Sequence, residues 1–374
     1  MNRAVFFVAT ALCAAPLALA ATSAAAAEAK APAAAKSAYK APKTAFGQPD
    51  ISGYWSNSSI TPMVRPAKYG DRAVHTEDEV KALEQAVVEE VEEGNKPTDP
   101  NAPAEAPKVT GNVRPEFAAA GGDVGGYNRG WLDPGHLVMR VRGEPRTSLI
   151  TTPNGQIPPR KAGAPAGPGF GRGGGGGGGA FDNPENRSLG ERCIIGFGRN
   201  AGPPMFSNGF YNNNYQIVQT PDAISILVEM NHDVRTIALN GKHRTDNIRP
   251  YFGDSIGWWD GDTLVVETTH IPQRQAFMGS WENLKVTERF TRVAKDRLHY
   301  AFQVEDPTLW DKPWGGEYEM SPLNGVIYEY ACHEGNYALE GILGGARHEE
   351  KLAAEAAAAA KASAKGAKGG KASD

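Results

Sequence analysis

Two short stretches group side chains that could do chemistry together. "EMNHDVR" groups Glu229, His232, Asp233 and Arg235, and "EYACHEGNY" sets Cys332 beside His333 with Glu329 just upstream. A carboxylate next to an imidazole can orient the ring and stabilise its charged form, as a general base requires. His232, Asp233 and His333 are therefore candidate catalytic groups. In an extended strand, neighbouring residues point to opposite faces, so His333 is poorly placed to activate Cys332 as a nucleophile. Cys332 would share its face with Tyr328 and Tyr330, which suits a buried bridge to Cys193.

Glu288 is the fourth catalytic candidate. In "NLKVTERFTRV" it falls on the side of Leu284, Val286 and Phe290. A carboxylate in a core is costly unless paired. Arg235 on a facing strand would keep it ionised through a bidentate pair. Without a cation, desolvation would make it a general acid or base. A bulge that turns it outward is the alternative. Candidate ligand contacts are Arg235, Asn214 from "YNNNYQIVQ", Glu329, and Trp259 from "IGWWDGD". Tryptophans beside turns (Trp258, Trp259, Trp310, Trp314) suit a pocket for an aromatic or sugar ligand, or simple packing at a barrel end.

Other chemistries lack their signatures. The eight histidines form no H-x-H or HExxH pattern, and no cysteine pair has metal-ligand spacing. His232, His270 and His333 stand near strand ends, yet the pattern calls for no metal and no cofactor. The string Gly253-Asp254-Ser255-Ile256-Gly257 matches G-x-S-x-G, but it opens an extended stretch with no helix after it and so makes no nucleophile elbow. The G-x-G-x-x-G matches fall inside the glycine-rich run and make no dinucleotide turn. The glycine-rich run at 163–180 has no strand before it and no Lys-Ser/Thr helix after it, so it reads as a linker rather than a phosphate cradle.

The elements that must position these groups are mostly strands. "PDISGYWSN", "HLVMRVRG", "RTSLITTPNGQIP", "YQIVQTPDAISILVEM", "DVRTIALNGK", "DSIGWWDGDTLVVETTHI", "NLKVTERFTRVAKDRLHYAFQVEDP" and "GVIYEYACHEG" all read as extended. Turn residues at Pro221-Asp222, Asn240-Gly241, Asp260-Gly261-Asp262 and Lys295-Asp296 join them. Short strands and tight turns imply antiparallel neighbours, hence an all-β barrel, with a two-sheet sandwich as the alternative. One helix stands out. Thr76 and Glu79 form a capping box, Val80, Leu83, Val87, Val88 and Val91 make a stripe, and Gly94 ends it.

The ends of the chain bear on compartment. A short basic start, an apolar stretch and Ala18-Leu19-Ala20 have the form of a secretory signal peptide over 1–20. The expected location is therefore periplasmic or secreted. Losing the leader removes Cys13 and leaves Cys193 and Cys332, either bridged or as two buried thiols. A formal net charge of −4 argues against nucleic-acid partners, and no later apolar run is long enough to span a membrane. An Ala/Pro/Lys-rich linker over 21–45, one β-rich domain over 46–347 and a disordered tail over 348–374 complete the layout. Oligomeric state is not legible in the sequence.

The runs "YNNNYQIVQTP", "WDGDTLVVETT", "VEDPTLWDKPW" and "EYACHEGNY", in this order, resemble a large family of exported bacterial proteins of unknown function. The resemblance spans roughly 46–347 outside the glycine-rich run. It implies export but carries over no catalytic residue. Family members have a charged helical stretch where this chain has glycines. The opening "SGYW" is similar to the G-x-W start of lipocalin-like barrels. Together the sequence leads to a lipocalin-like barrel that binds a small, partly apolar or aromatic molecule. A hydrolase or lyase using acid–base catalysis in the barrel cavity, and a structural envelope protein without a ligand, are the alternatives.

Overall fold

The computed structural model describes residues 39–94, 135–164, 179, 181–196, 201–206 and 213–369. The leader, most of the linker and most of the glycine-rich run lie outside the described residues.

Nine strands close into a barrel. They are β1 (Gly53–Ser56), β4 (Asn214–Gln219), β5 (Ala223–Val228), β6 (Val234–Leu239), β7 (Asp254–Asp260), β8 (Thr263–Thr269), β9 (Lys285–Ala294), β10 (Arg297–Glu305) and β11 (Trp314–Pro322). β2 (Arg140–Val141) and β3 (Glu144–Pro145) form a small separate ribbon. The short β1 closes the ring by pairing with β11 on one side and β4 on the other. Closure rules out the sandwich. The inward faces carry the apolar residues that the alternation assigned to them, including Leu298, Tyr300, Phe302 and Val304 of β10.

All neighbours are antiparallel except β6 and β7, where Ala238 pairs with Ile256 and Leu239 with Gly257 in parallel. The expectation of antiparallel joints throughout fails here for a geometric reason. A parallel pair needs a crossover, so residues 240–253 run back along the barrel before β7 begins.

The strand registers define two ends. At the hairpin end, 220–222, 261–262 and 295–296 join β4–β5, β7–β8 and β9–β10. Trp55 packs there, its Nε1 donating to the Ile51 carbonyl at 3.1 Å. Arg292 lies over its ring at 5.6 Å and donates to the Asp50 and Lys295 carbonyls. At the other, loop end, the chain leaves after β1 for the long excursion that returns at β4, and makes the connections 229–233, 270–284 and 306–313.

Several expectations change. "GVIYEYACHEG" is not a strand: residues 323–336 are irregular, because β11 already pairs on both edges and leaves no partner. β11 itself, "WGGEYEMSP", was not expected, since glycines and a proline are poor strand formers. The glycines are there for close approach. A Cβ on Gly315 would lie 2.0 Å from the Phe302 carbonyl oxygen, and one on Gly316 would meet the Phe302 ring and the Leu149 carbonyl oxygen at 2.8 Å. Of "HLVMRVRG" only β2 is regular, and "RTSLITTPNGQIP" contributes β-bridges rather than a strand.

Helix α1 (Glu77–Gly94) has its capping box, with Thr76 N–H donating to Glu79 Oε2 at 2.9 Å and Glu79 N–H to Thr76 Oγ1 at 3.2 Å. Its stripe is only partly used: Val80 is buried, whereas Val88 and Val91 are exposed. The C-terminal tail, read as disordered, is helical in α2 (Tyr337–Gly369), and nearly all its described side chains beyond Gly344 are exposed. The domain also begins earlier than residue 46, since Lys43 bridges Pro49 and Ala41 is buried.

Candidate functional site

The barrel interior contains a charged pair. β6 alternates, so Asp233, Arg235, Ile237 and Leu239 face inward while Val234, Thr236 and Ala238 are exposed. On β9 the same alternation turns Glu288 inward. Arg235 Nη1 donates to Glu288 Oε2 at 2.5 Å and Nη2 to Oε1 at 2.9 Å, with the two side chains 1 % and 0 % exposed. Tyr300 Oη adds a third bond to Oε1 at 2.8 Å. The carboxylate is thus fully engaged, and the bulge alternative does not arise. Its two oxygens take three hydrogen bonds from Arg235 and Tyr300.

Three tyrosines line the space around this pair. Tyr215, Tyr300 and Tyr318 are fully buried, and burial pushes their hydroxyls above the usual phenol range. Asn57 Nδ2 donates to Tyr215 Oη at 3.2 Å and to Tyr318 Oη at 3.3 Å. Residues 201–206 lie against them. Met205 N–H donates to Tyr300 Oη at 2.8 Å, and Tyr318 Oη donates to the Met205 carbonyl at 2.9 Å. Phe206 stands edge-on to Phe277, Phe302 and Trp314, with centroids 5.1, 6.1 and 6.3 Å away.

The rim of the loop end is tied by side chains. Glu229, buried, accepts from Asn214 Nδ2 at 2.7 Å and from the Tyr328 N–H at 2.8 Å. It thereby fixes the irregular 323–336 segment where a strand partner would otherwise serve. Cys193 and Cys332 are bridged, with Cα atoms 5.6 Å apart. Asp233 accepts from the Gly196 N–H at 3.2 Å, but burial outweighs that bond and pushes its carboxyl up to about 6.

The structure therefore brings together Arg235 and Glu288, and it joins Asn214 to Glu229 near the bridge. It does not assemble the proposed catalytic set. His232 is exposed, with a left-handed φ of 45°, and His333 and Glu329 are exposed on the irregular segment. Among the described residues, no hydrogen bond joins any two of His232, Asp233, Glu288 and His333. Trp259, half-buried near the β7–β8 turn, belongs to the hairpin end, away from the other ligand candidates. Sequence reading missed Tyr215, Tyr318, Asn57 and Met205 as a connected set. The inward placement of Tyr300 was visible in the alternation, but nothing local marks Met205. Among the described residues, His243, Asp254 and His270 form a group whose donor atoms approach closely enough to hold a metal.

No family model matches the chain. No curated protein matches it either.

Proposed function

We propose that the protein is an exported binder of a small, partly aromatic molecule, taken up at the loop end in the place of residues 201–206. The observation that carries this reading is the pair of bonds to Met205. Tyr300 accepts from one N–H and Tyr318 donates to one carbonyl, inside a wall formed by Phe277, Phe302 and Trp314. That is a receptor for the N–H and the carbonyl of one residue, which belong to two successive amide groups, flanked by rings. A few oriented polar groups in an apolar wall is the usual make-up of a ligand site. The Cys193–Cys332 bridge, the leader and the family resemblance support export. No helix among the described residues is long and apolar enough to cross a membrane.

N-acetyl-1-naphthylalanine N-methylamide supplies both features on one residue and fluoresces. It should bind saturably at one site per chain, about tenfold or more tighter than 1-methylnaphthalene, which lacks the amides. Tyr300→Phe should remove most of that preference. Equal binding of the two compounds, or none, would overturn the reading.

A second reading, a structural barrel without a ligand, is favoured by the complete burial of the inward-facing Tyr215, Glu288, Tyr300 and Tyr318. The acid–base alternative receives less support, because its candidate groups do not converge.

A further inference from the structure

We infer that His243, Asp254 and His270 form a binding site for a divalent transition-metal ion of the zinc class, on the outside of the barrel and separate from the proposed ligand site. The parallel β6–β7 joint creates it. The crossover 240–253 returns toward the start of β7, and His243 arrives beside Asp254, the first residue of that strand. Asp254 pairs in register with Thr269 at the end of β8, and His270 follows directly. Three separate stretches of chain thus place two imidazoles and a carboxylate so that one donor atom from each lies within 4.8 Å of the others. All three residues are half-buried.

The hydrogen bonding around His243 asks for a cation. Its Nδ1 is 2.8 Å from Asp254 Oδ2, and its Nε2 is 3.2 Å from Glu267 Oε1. A neutral ring carries one proton. If Nε2–H is given to Glu267, the Nδ1 lone pair faces a carboxylate oxygen with nothing between them. Thr269 Oγ1 lies 3.3 Å from His243 Nδ1 and 2.8 Å from His270 Nδ1, and its single proton serves only one of them. The site therefore gathers more acceptors than protons. A metal ion held by the two imidazoles and Asp254 resolves this, as does a second proton on His243.

The surroundings fit a metal site. Glu267 on the far nitrogen is the outer carboxylate that commonly fixes the tautomer of a metal-bound histidine. Its other oxygen is 3.7 Å from Lys285, which keeps it an outer partner and not a ligand. The Arg244 guanidinium is held in a two-bond pair with Asp246, while its backbone N–H donates to Asp254. Two imidazoles and one carboxylate suit zinc, nickel or cobalt over magnesium or calcium. Zinc bonds of about 2.0–2.2 Å would draw the donors inward by about 1 Å, and three protein ligands leave a position for water.

The test uses protein stripped of metals with a chelator and then titrated with zinc by calorimetry. One zinc per chain should bind. His243→Ala and His270→Ala should each weaken it at least about thirtyfold, Glu267→Gln about tenfold, and His232→Ala not at all. Zinc should bind at least about a hundredfold tighter than calcium or magnesium. Because a variant can lose its fold, a second measurement uses the unaltered chain. Diethyl pyrocarbonate labelling, mapped by mass spectrometry, should show zinc protecting His243 and His270 but not His232 or His333. Absence of stoichiometric binding, or labelling of His243 and His270 unaffected by zinc, would assign the cluster to a protonated histidine between carboxylates and overturn the proposal.

Discussion

The two ends of the barrel are built by different means. At the hairpin end, short turns close β4–β5, β7–β8 and β9–β10, and the segment before β1 reaches them only from outside, Gln48 to the Pro221 carbonyl, Lys43 to Asp262 and Arg292 to the Asp50 carbonyl. At the loop end, side chains reach across long separations: Arg235 to Glu288, Glu229 to Tyr328, Tyr300 and Tyr318 to Met205, and Cys193 to Cys332. Short turns with contacts near the surface make a rim that closes on itself. Long-range polar chemistry makes a rim whose groups are held in place by one another, and such arrangements are the ones that can receive something else.

This contrast predicts unequal costs. The largest belongs to the interior pair. Glu288→Gln leaves the buried Arg235 without its counter-charge and should destabilise by about 3–5 kcal/mol. Replacing both partners, Arg235→Met with Glu288→Leu, should recover most of that loss. Urea unfolding of the three proteins decides it, and a loss under about 0.5 kcal/mol for Glu288→Gln would contradict the pairing.

The bridge comes next. It closes a separation of 139 residues, for which the chain-entropy model gives about 5 kcal/mol. Measured losses fall nearer 2–5 kcal/mol. Cys193→Ser with Cys332→Ser should cost an amount in this range. Thiol titration of the unreduced, denatured chain made without residues 1–20, and so without Cys13, should find no free thiol.

Asp233 should act in the opposite direction. Burial raises its carboxyl to about 6, so the folded state binds that proton more tightly than the unfolded chain, where the value is near 4. The associated stability is complete below pH ~4 and is lost as pH rises through about 6. Asp233→Asn keeps an acceptor for Gly196. It should stabilise by about 1–3 kcal/mol at pH 8 and change little at pH 4. Melting curves at the two pH values test the sign.

The hairpin end should give the smallest effect. Gly261 has a φ of 62°, and an added Cβ would meet no atom within 4 Å. Gly261→Ala should therefore cost only the backbone term, about 1 kcal/mol. A loss as large as that of Glu288→Gln would erase the distinction between the ends.

The same contrast governs what could be read from the sequence. Strand alternation and turn residues were enough for the hairpin end, the capped helix and the inward placement of Glu288, because those depend on neighbours along the chain. The β6–β7 crossover was illegible, since Asn240-Gly241 looks like any tight turn. So was β11, whose Gly315 and Gly316 read as breakers until the Phe302 ring and the Leu149 carbonyl are seen against them. "EYACHEGNY" has strand-like residues but no free edge to join, and Glu229 takes its Tyr328 N–H instead. His243 and His270 lie far apart in sequence with no motif between them, and only the crossover brings them together.

Hydrogen exchange at Met205 tests the central claim most directly. Without added compound, the Met205 amide should exchange slowly, because Tyr300 holds it in the buried interior. On saturation with N-acetyl-1-naphthylalanine N-methylamide, its exchange should accelerate as residues 201–206 give up their place, while the amides of β9 and β10 stay protected. Saturable binding with Met205 protection unchanged or increased would show that the compound sits elsewhere, and would contradict the account.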